Sequence, residues 1–229
     1  MNLPGENTGS FLIPKLIPPR SAHLYSRLQL FELFDRSRER HSQIWISAPA
    51  GSGKTSLAIS YIEAHALPTL WYQIDAGDSE VASFFYYLGL ATARIAPQYE
   101  QAMPVLKAEY IADLPTFAQN YFRELSRRLP HHCILVLDNF QNVPTNSLLY
   151  ELLPVLIQEL RHDLTLLVLS REEPPAALAR LRIGGELTCF DAAQLLLNYE
   201  ECHGVCAKRL GEEQPDPSML IKLHEHSQG

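Results

Sequence analysis

The chain has 229 residues, of which 46% are hydrophobic and 20% charged, a composition suited to one large globular domain or one domain plus a fragment. Its formal net charge is -7 and only five of its 19 basic residues are lysines, so the continuous basic face that releases counterions from nucleic acid is missing; no direct DNA binding by this segment is expected. No apolar run is long enough for a membrane span, the polar start MNLPGENTGSF lacks the basic n-region of a signal peptide, and Cys133, Cys189, Cys202 and Cys206 are too unevenly spaced for a disulfide framework, so a cytoplasmic protein with reduced thiols and no membrane partner is expected.

Residues 1–20 hold four prolines and little periodicity, which predicts an extended N-terminal arm or linker. A helix ending in Arg36, Arg38 and Arg40 comes next, its cations placed to suit the helix dipole. Five short β-rich runs then alternate with helical patterns. The runs are 43–47 (QIWIS), 70–74 (LWYQI), 133–138 (CILVLD), 164–170 (LTLLVLS) and a weaker 186–190 (ELTCF). Strands apolar on both faces belong in the middle of a parallel sheet covered by helices. The helices are predicted over 55–64, 79–95, 115–129 and 147–160, the last with Pro154 as a kink. Such alternation indicates a three-layer α/β/α sheet of about five parallel strands with right-handed crossovers, spanning about 21–190. After Phe190 the strand signals stop, and 191–210 and 217–226 read as two helices of a partial lid over 191–229. Their leucines and isoleucine at 195–197, 220, 221 and 223 are expected to lie exposed in an incomplete lid.

The strongest chemical signal is the stretch Ala48-Pro49-Ala50-Gly51-Ser52-Gly53-Lys54-Thr55, which follows a strand and opens a helix. It matches the phosphate-binding P-loop except that Ala48 stands in place of the first glycine. Gly51 and Gly53 let the backbone aim its N–H groups at one point, and with the helix N-terminus they form an anion nest. Ala50, Gly51, Ser52, Gly53, Lys54, Thr55 and Ser56 are the expected nucleotide-binding set. Lys54 is placed to reach the β- and γ-phosphates of ATP, and Thr55 to ligate Mg²⁺. About 80 residues on, the strand ILVLD ends in Asp138, the Walker B arrangement, whose carboxylate would hold the Mg²⁺ shell beside Thr55. Ser170-Arg171 ends the fourth run, at the strand ends where open α/β sheets bind ligands. Arg171 is therefore a candidate phosphate sensor, with a simple strand exit as the other reading.

Several segments resemble a known family. Residues 15–20 (KLIPPR) are similar to its KLxPPR opening, 47–55 (SAPAGSGKT) to its APAGxGKT loop, 71–78 (WYQIDAGD) to its W-x-x-L-D-x-x-D segment, and 170–188 to its SRxxPPLPLARLRxxGxLxE block. The family is that of the MalT-type STAND ATPases, nucleotide switches within large LuxR-type bacterial transcription regulators. The resemblance runs from about Leu12 to about Glu201 and is thin between Pro97 and Leu129. It implies an ASCE-type P-loop NTPase that holds ATP or ADP with Mg²⁺ under a helical lid and whose nucleotide state controls self-association through the nucleotide domain of the full-length protein. It further implies that Arg171 senses the γ-phosphate and that Pro19 and Arg20 lie near the adenine. One departure matters: the family follows the Walker B aspartate with a second acid, whereas here Asn139 follows Asp138. An amide can orient a water but cannot accept its proton, which argues for slow turnover.

Other readings remain open at this level. A P-loop kinase for a small metabolite would use Arg180 and Arg182 as lid cations, and a scaffold would bind nucleotide without turnover. Glu172 and Glu173 are alternative bases. Cys202, His203 and Cys206 offer at most three poorly angled metal ligands, so free thiols on a helix are the plainer reading. Asp75 and Asp78 either tune the nucleotide site or form a turn.

Overall fold

The computed structural model of the protein describes residues 13–20, 24–210 and 221. Among these residues five strands form one parallel sheet: β1 (Gln43–Ser47), β2 (Thr69–Gln73), β3 (Ile134–Asp138), β4 (Thr165–Ser170) and β5 (Leu187–Phe190). Their order is β2-β3-β4-β1-β5. β1, β3 and β4 are buried along their whole length, which is why they read as unbroken apolar runs.

Alternation along each strand splits the core into two layers. Trp45, Leu135, Leu137, Leu166 and Val168 face one side of the sheet. There they meet α3 (Val81–Ile95), α4 (Leu114–Arg128) and α5 (Leu149–Glu159). Ile44, Ile46, Val136, Leu167 and Leu169 face the other side. They meet α1 (Leu28–Glu39) and α2 (Lys54–Ala64). The result is the three-layer α/β/α sandwich expected from the β–α alternation. α3 buries Phe84, Phe85 and Leu88 through the stripe seen in its sequence. α5 runs on past Pro154 to Glu159, although that proline, inside the helix, cannot donate to the Tyr150 carbonyl.

The arm is docked where it is described. Pro14–Leu16 make a 3-10 turn with Leu16 buried, and Lys15 reaches Asp78, itself fully buried. Lys15 Nζ donates to Asp78 Oδ1 at 3.0 Å and Oδ2 at 2.8 Å, and the Tyr72 hydroxyl donates to Oδ1 at 2.5 Å. Asp75 caps the turn that carries Asp78 and pairs with Lys15 at 2.8 Å. The two aspartates thus build a turn that staples the arm to edge strand β2.

The segment 191–210 is two helices instead of one. After α6 (Ala179–Ile183) and β5 come α7 (Ala192–Leu195) and α8 (Tyr199–Leu210), separated by Leu196 in extended conformation (ψ 136°). Each has its own capping pair, Asp191 with Gln194 and Asn198 with Glu201, so the sequence starts a helix twice. Arg27 then takes the freed carbonyls: it donates to Leu195 O and Leu196 O at 2.7 Å each, and bidentately to Glu201 at 3.0 and 2.9 Å. Leu195 is buried, contrary to the expectation of exposure, whereas Leu196 and Ile221 are exposed. The predicted helix over 217–226, apart from Ile221, and with it Leu220 and Leu223, lies outside the described residues.

α8 packs so closely on residue 25 that a Cβ on Gly204 would sit 2.0 Å from Tyr25 Cε2. Helix propensity alone favours alanine over glycine by about 1 kcal/mol. Gly204→Ala is nonetheless expected to destabilise by about 1–3 kcal/mol, because overpacking outweighs propensity. Denaturant unfolding decides the sign; a stabilised variant would show that the Tyr25 ring swings aside freely.

Candidate functional site

The loop between β1 and α2 is shaped by backbone needs. Gly51 and Gly53 adopt φ of 82° and 81°, which other residues rarely do, and a Cβ on either would meet nothing within 4 Å. These glycines are therefore required by the turn and leave open space in front of it. Ala48 has no such backbone and is buried in the second core layer, which is why an alanine serves there. Gly53 is the N-cap of α2 and carries no side-chain cap, so the first-turn amides of a long helix remain available to an anion. Lys54 Nζ donates to Ala48 O at 2.6 Å and Pro49 O at 2.8 Å, and Ser52 Oγ donates to Pro49 O at 2.9 Å, bracing the loop from within.

Strand order brings the second half of the site to this loop. β4 lies between β1 and β3, so the ends of all three converge at the carboxyl edge of the sheet. The Thr55 hydroxyl donates to both Asp138 oxygens at 3.3 Å. Asn139 N donates to Asp138 Oδ1 at 2.9 Å. Asn139 itself sits in the left-handed region (φ 58°, ψ 38°), which asparagine tolerates better than most residues. The loop after β4 is held by three bonds: Trp45 Nε1 to Glu172 O at 3.0 Å, Glu172 N to Ser170 Oγ at 3.0 Å, and Arg171 N to Gln141 Oε1 at 3.2 Å.

Together these ends enclose a cavity of about 280 Å³. Ala50, Gly51, Gly53, Lys54, Thr55, Ser56, Asn139 and Arg171 line it, eight residues singled out by sequence, and Gln141 joins them. Ser52 and Asp138 adjoin it through Lys54 and Thr55. Pro19 and Arg20 are exposed and do not line it. Neither do Asp75, Asp78, Glu172 or Glu173; Glu173 lies 4.0 Å from Arg182. Gln141 was missed because its role depends on a contact with Arg171, 30 residues away; a glutamine in a loop carries no spacing signal.

The electrostatics are those of a polyanion site. Burial lowers the Lys54 pKa, and the neighbouring Arg171 cation lowers it further. Burial raises the Asp138 pKa above the ordinary carboxylate value, against the opposing bonds from Asn139 N and Thr55 and the charge of Lys54. A raised carboxyl pKa means that the folded protein holds the proton more tightly than the unfolded chain. Asp138 therefore costs stability as pH rises through its pKa. Asp138→Asn is expected to raise the unfolding midpoint at neutral pH and to weaken any Mg²⁺-dependent binding. Thermal unfolding and titration with and without Mg²⁺ test both halves; a destabilised variant would mean that the charge is compensated.

The cavity fits a nucleoside phosphate with Mg²⁺: backbone donors and two cations on one side, a hydroxyl and a carboxylate together on the other. Elsewhere, among the described residues no group of three or more His, Cys, Asp and Glu side chains is placed to hold a metal ion. Cys202 and Cys206 are free thiols, and burial raises the pKa of Cys202. Among the same residues no helix is long and apolar enough to cross a membrane.

Comparison with known proteins places this geometry. The model of the family Nephrocystin 3, N-terminal matches residues 27–171, from the Arg27 clamp through the phosphate loop to Arg171, more than half of the chain. The chain belongs to this family. It is also 31% identical over 169 residues to the HTH-type transcriptional regulator MalT of Cronobacter sakazakii, covering 73% of this chain and 18% of that protein. For MalT of Yersinia enterocolitica the identity is 30% over 179 residues, with coverage of 76% and 19%. The chain thus spans about a fifth of the length of these curated relatives. A chain in the structure of Drosophila ORC bound to AT-rich DNA and Cdc6 shares the fold at TM-score 0.50 and 15% identity, covering 86% of this chain and 61% of that one. The fold is that of a P-loop NTPase of the ASCE type, with a strand inserted between those that carry the phosphate loop and the Walker B aspartate.

Proposed function

We propose that the chain is an ATP/ADP-binding switch domain of a signal-responsive transcriptional regulator, cytoplasmic and of the STAND class. The observation that carries this reading is the meeting of Thr55 with Asp138 at 3.3 Å beneath two cations, Lys54 and Arg171, that line one cavity. The glycine loop and α2 amides would hold the α- and β-phosphates, Lys54 and Arg171 the outer charge, and Thr55 with Asp138 the Mg²⁺. Bound ATP would supply the phosphate charge that neutralises the two cations. Similarity to MalT supports the regulator reading. In the full-length protein the nucleotide state would control self-association through this domain, and Pro19 and Arg20 would reach the adenine from the docked arm.

Turnover is expected to be slow. General-base assistance contributes about 10²–10⁴-fold, and Asn139 stands where a carboxylate would provide it. The test is direct titration with ATP and ADP, with and without Mg²⁺, beside single-turnover hydrolysis. Wild type is expected to bind both nucleotides and to hydrolyse ATP well below the usual enzyme median of about 10 per second. Asn139→Asp is expected to speed hydrolysis, since a base acts in the transition state. No gain in that variant, together with loss in Glu172→Gln or Glu173→Gln, would place the base elsewhere. Binding with no hydrolysis in any variant would favour a scaffold, and phosphate transfer to a small metabolite a kinase.

A further inference from the structure

We propose that Gln141 is a positioning residue that links the ends of β3 and β4, so that Asn139 and Arg171 read the outermost phosphate of a nucleoside triphosphate as one unit; this rests on the nucleotide reading above. The β3–β4 register runs to Leu137 and Val168; β3 then ends at Asp138, paired with β2, and β4 at Ser170, paired with β1. Gln141 spans the gap with both ends of its amide. Arg171 N donates to Gln141 Oε1 at 3.2 Å, and Gln141 Nε2 donates to Asn139 Oδ1 at 3.3 Å.

The chain of bonds fixes which atom faces where. A backbone N–H can only donate, so the oxygen of Gln141 must face Arg171 and its NH₂ must face Asn139. Asn139 then has to offer its oxygen to Gln141, which leaves its own NH₂ for other partners. All three residues line the cavity. Asn139 is therefore set to present a donor, the sign that suits a phosphate oxygen. Its left-handed backbone is tied to Asp138 through its N–H, and turning the side chain breaks the bond to Gln141. Arg171 is held from the opposite end, because Gln141 bonds its main chain, and its charge acts on Lys54 across the cavity they both line.

A diphosphate lacks the group that both residues would meet, so the link is expected to govern the ratio of triphosphate to diphosphate affinity. The experiment uses the full chain, with ADP and a non-hydrolysable ATP analogue titrated by calorimetry in Mg²⁺. Gln141→Met, similar in size and without the two bonds, is expected to lower that ratio by about 10-fold. Gln141→His supplies one donor and one acceptor as neutral imidazole but two donors when protonated. It is therefore expected to recover part of the ratio near about pH 8 and to lose it near about pH 5.5, each compared with wild type at the same pH. The added imidazolium charge alone would favour the triphosphate at the lower pH, so a fall in the ratio there reports the lost acceptor and not the charge. A parallel fall in both affinities, an unchanged ratio in Gln141→Met, or a pH-independent histidine variant would overturn the proposal while leaving the nucleotide reading intact. Wild type binding neither nucleotide would remove both.

Discussion

Lys54→Ala is expected to lower ATP affinity by about 100-fold or more, because hydrogen bonds to charged groups contribute about 1.5–3 kcal/mol each and Lys54 is placed to make two. The fold is expected to survive. Among the described residues Lys54 bonds only to its own loop, at Ala48 O, Pro49 O and Ser52 Oγ, and it is not a core residue. Far-UV circular dichroism and nucleotide titration of both proteins make the comparison; unchanged affinity would end the phosphate-loop assignment. The lowered pKa of Lys54 adds a pH signature. Its charge is lost at a lower pH than that of an ordinary lysine, so affinity is expected to fall early on the alkaline side. Bound phosphate favours the charged form, so binding in that range takes up a proton.

Arg27→Met is expected to weaken the docking of α7 and α8 by about 3–5 kcal/mol, the usual result of removing one partner of a buried ion pair. Arg27 and Glu201 are each only 8% exposed, and the guanidinium also serves the Leu195 and Leu196 carbonyls. The variant strands a carboxylate as well as those two acceptors. Denaturant unfolding and proteolysis at 196–198 are the measurements. Adding Glu201→Leu is expected to return much of the loss, since no charge is then left buried. A double variant as unstable as the sum of the singles would show that the pair does not act as a unit.

The two predictions differ in how far the sequence foretells them. Lys54 stands in a contiguous motif between a strand and a helix, and its role follows from local order. The strands were legible for a similar reason: Ile134–Leu137 is apolar at every position because both faces are covered. The Arg27–Glu201 clamp joins residues 174 apart, and nothing local distinguishes Arg27 from a surface arginine. Gln141 was hidden in the same way. The break at Leu196 was missed because leucines at 195–197 suit a helix, whereas the caps Asp191 and Asn198 that divide the segment are single polar residues. Lys15 and Asp78 were each visible in a motif, but only the fold shows that the two meet.

The strand order has a consequence for synthesis. β1 leaves the ribosome first, yet both of its partners come last: Ile44 aligns with Leu167 on β4 and with Thr188 on β5. At roughly 5–20 residues per second, β1 waits about 6–25 seconds for β4 to be made. Meanwhile the run QIWIS, buried throughout in the finished sheet, has no strand beside it. β2 and β3 pair earlier, Thr69 with Ile134, and offer a half-sheet on which β4 can then close. Parallel pairings of such separation are slow to form and leave apolar edges open to wrong partners. The strand that carries the phosphate loop thus waits longest of the three central strands for a neighbour, and its apolar edges stay open to wrong partners until β4 has been made.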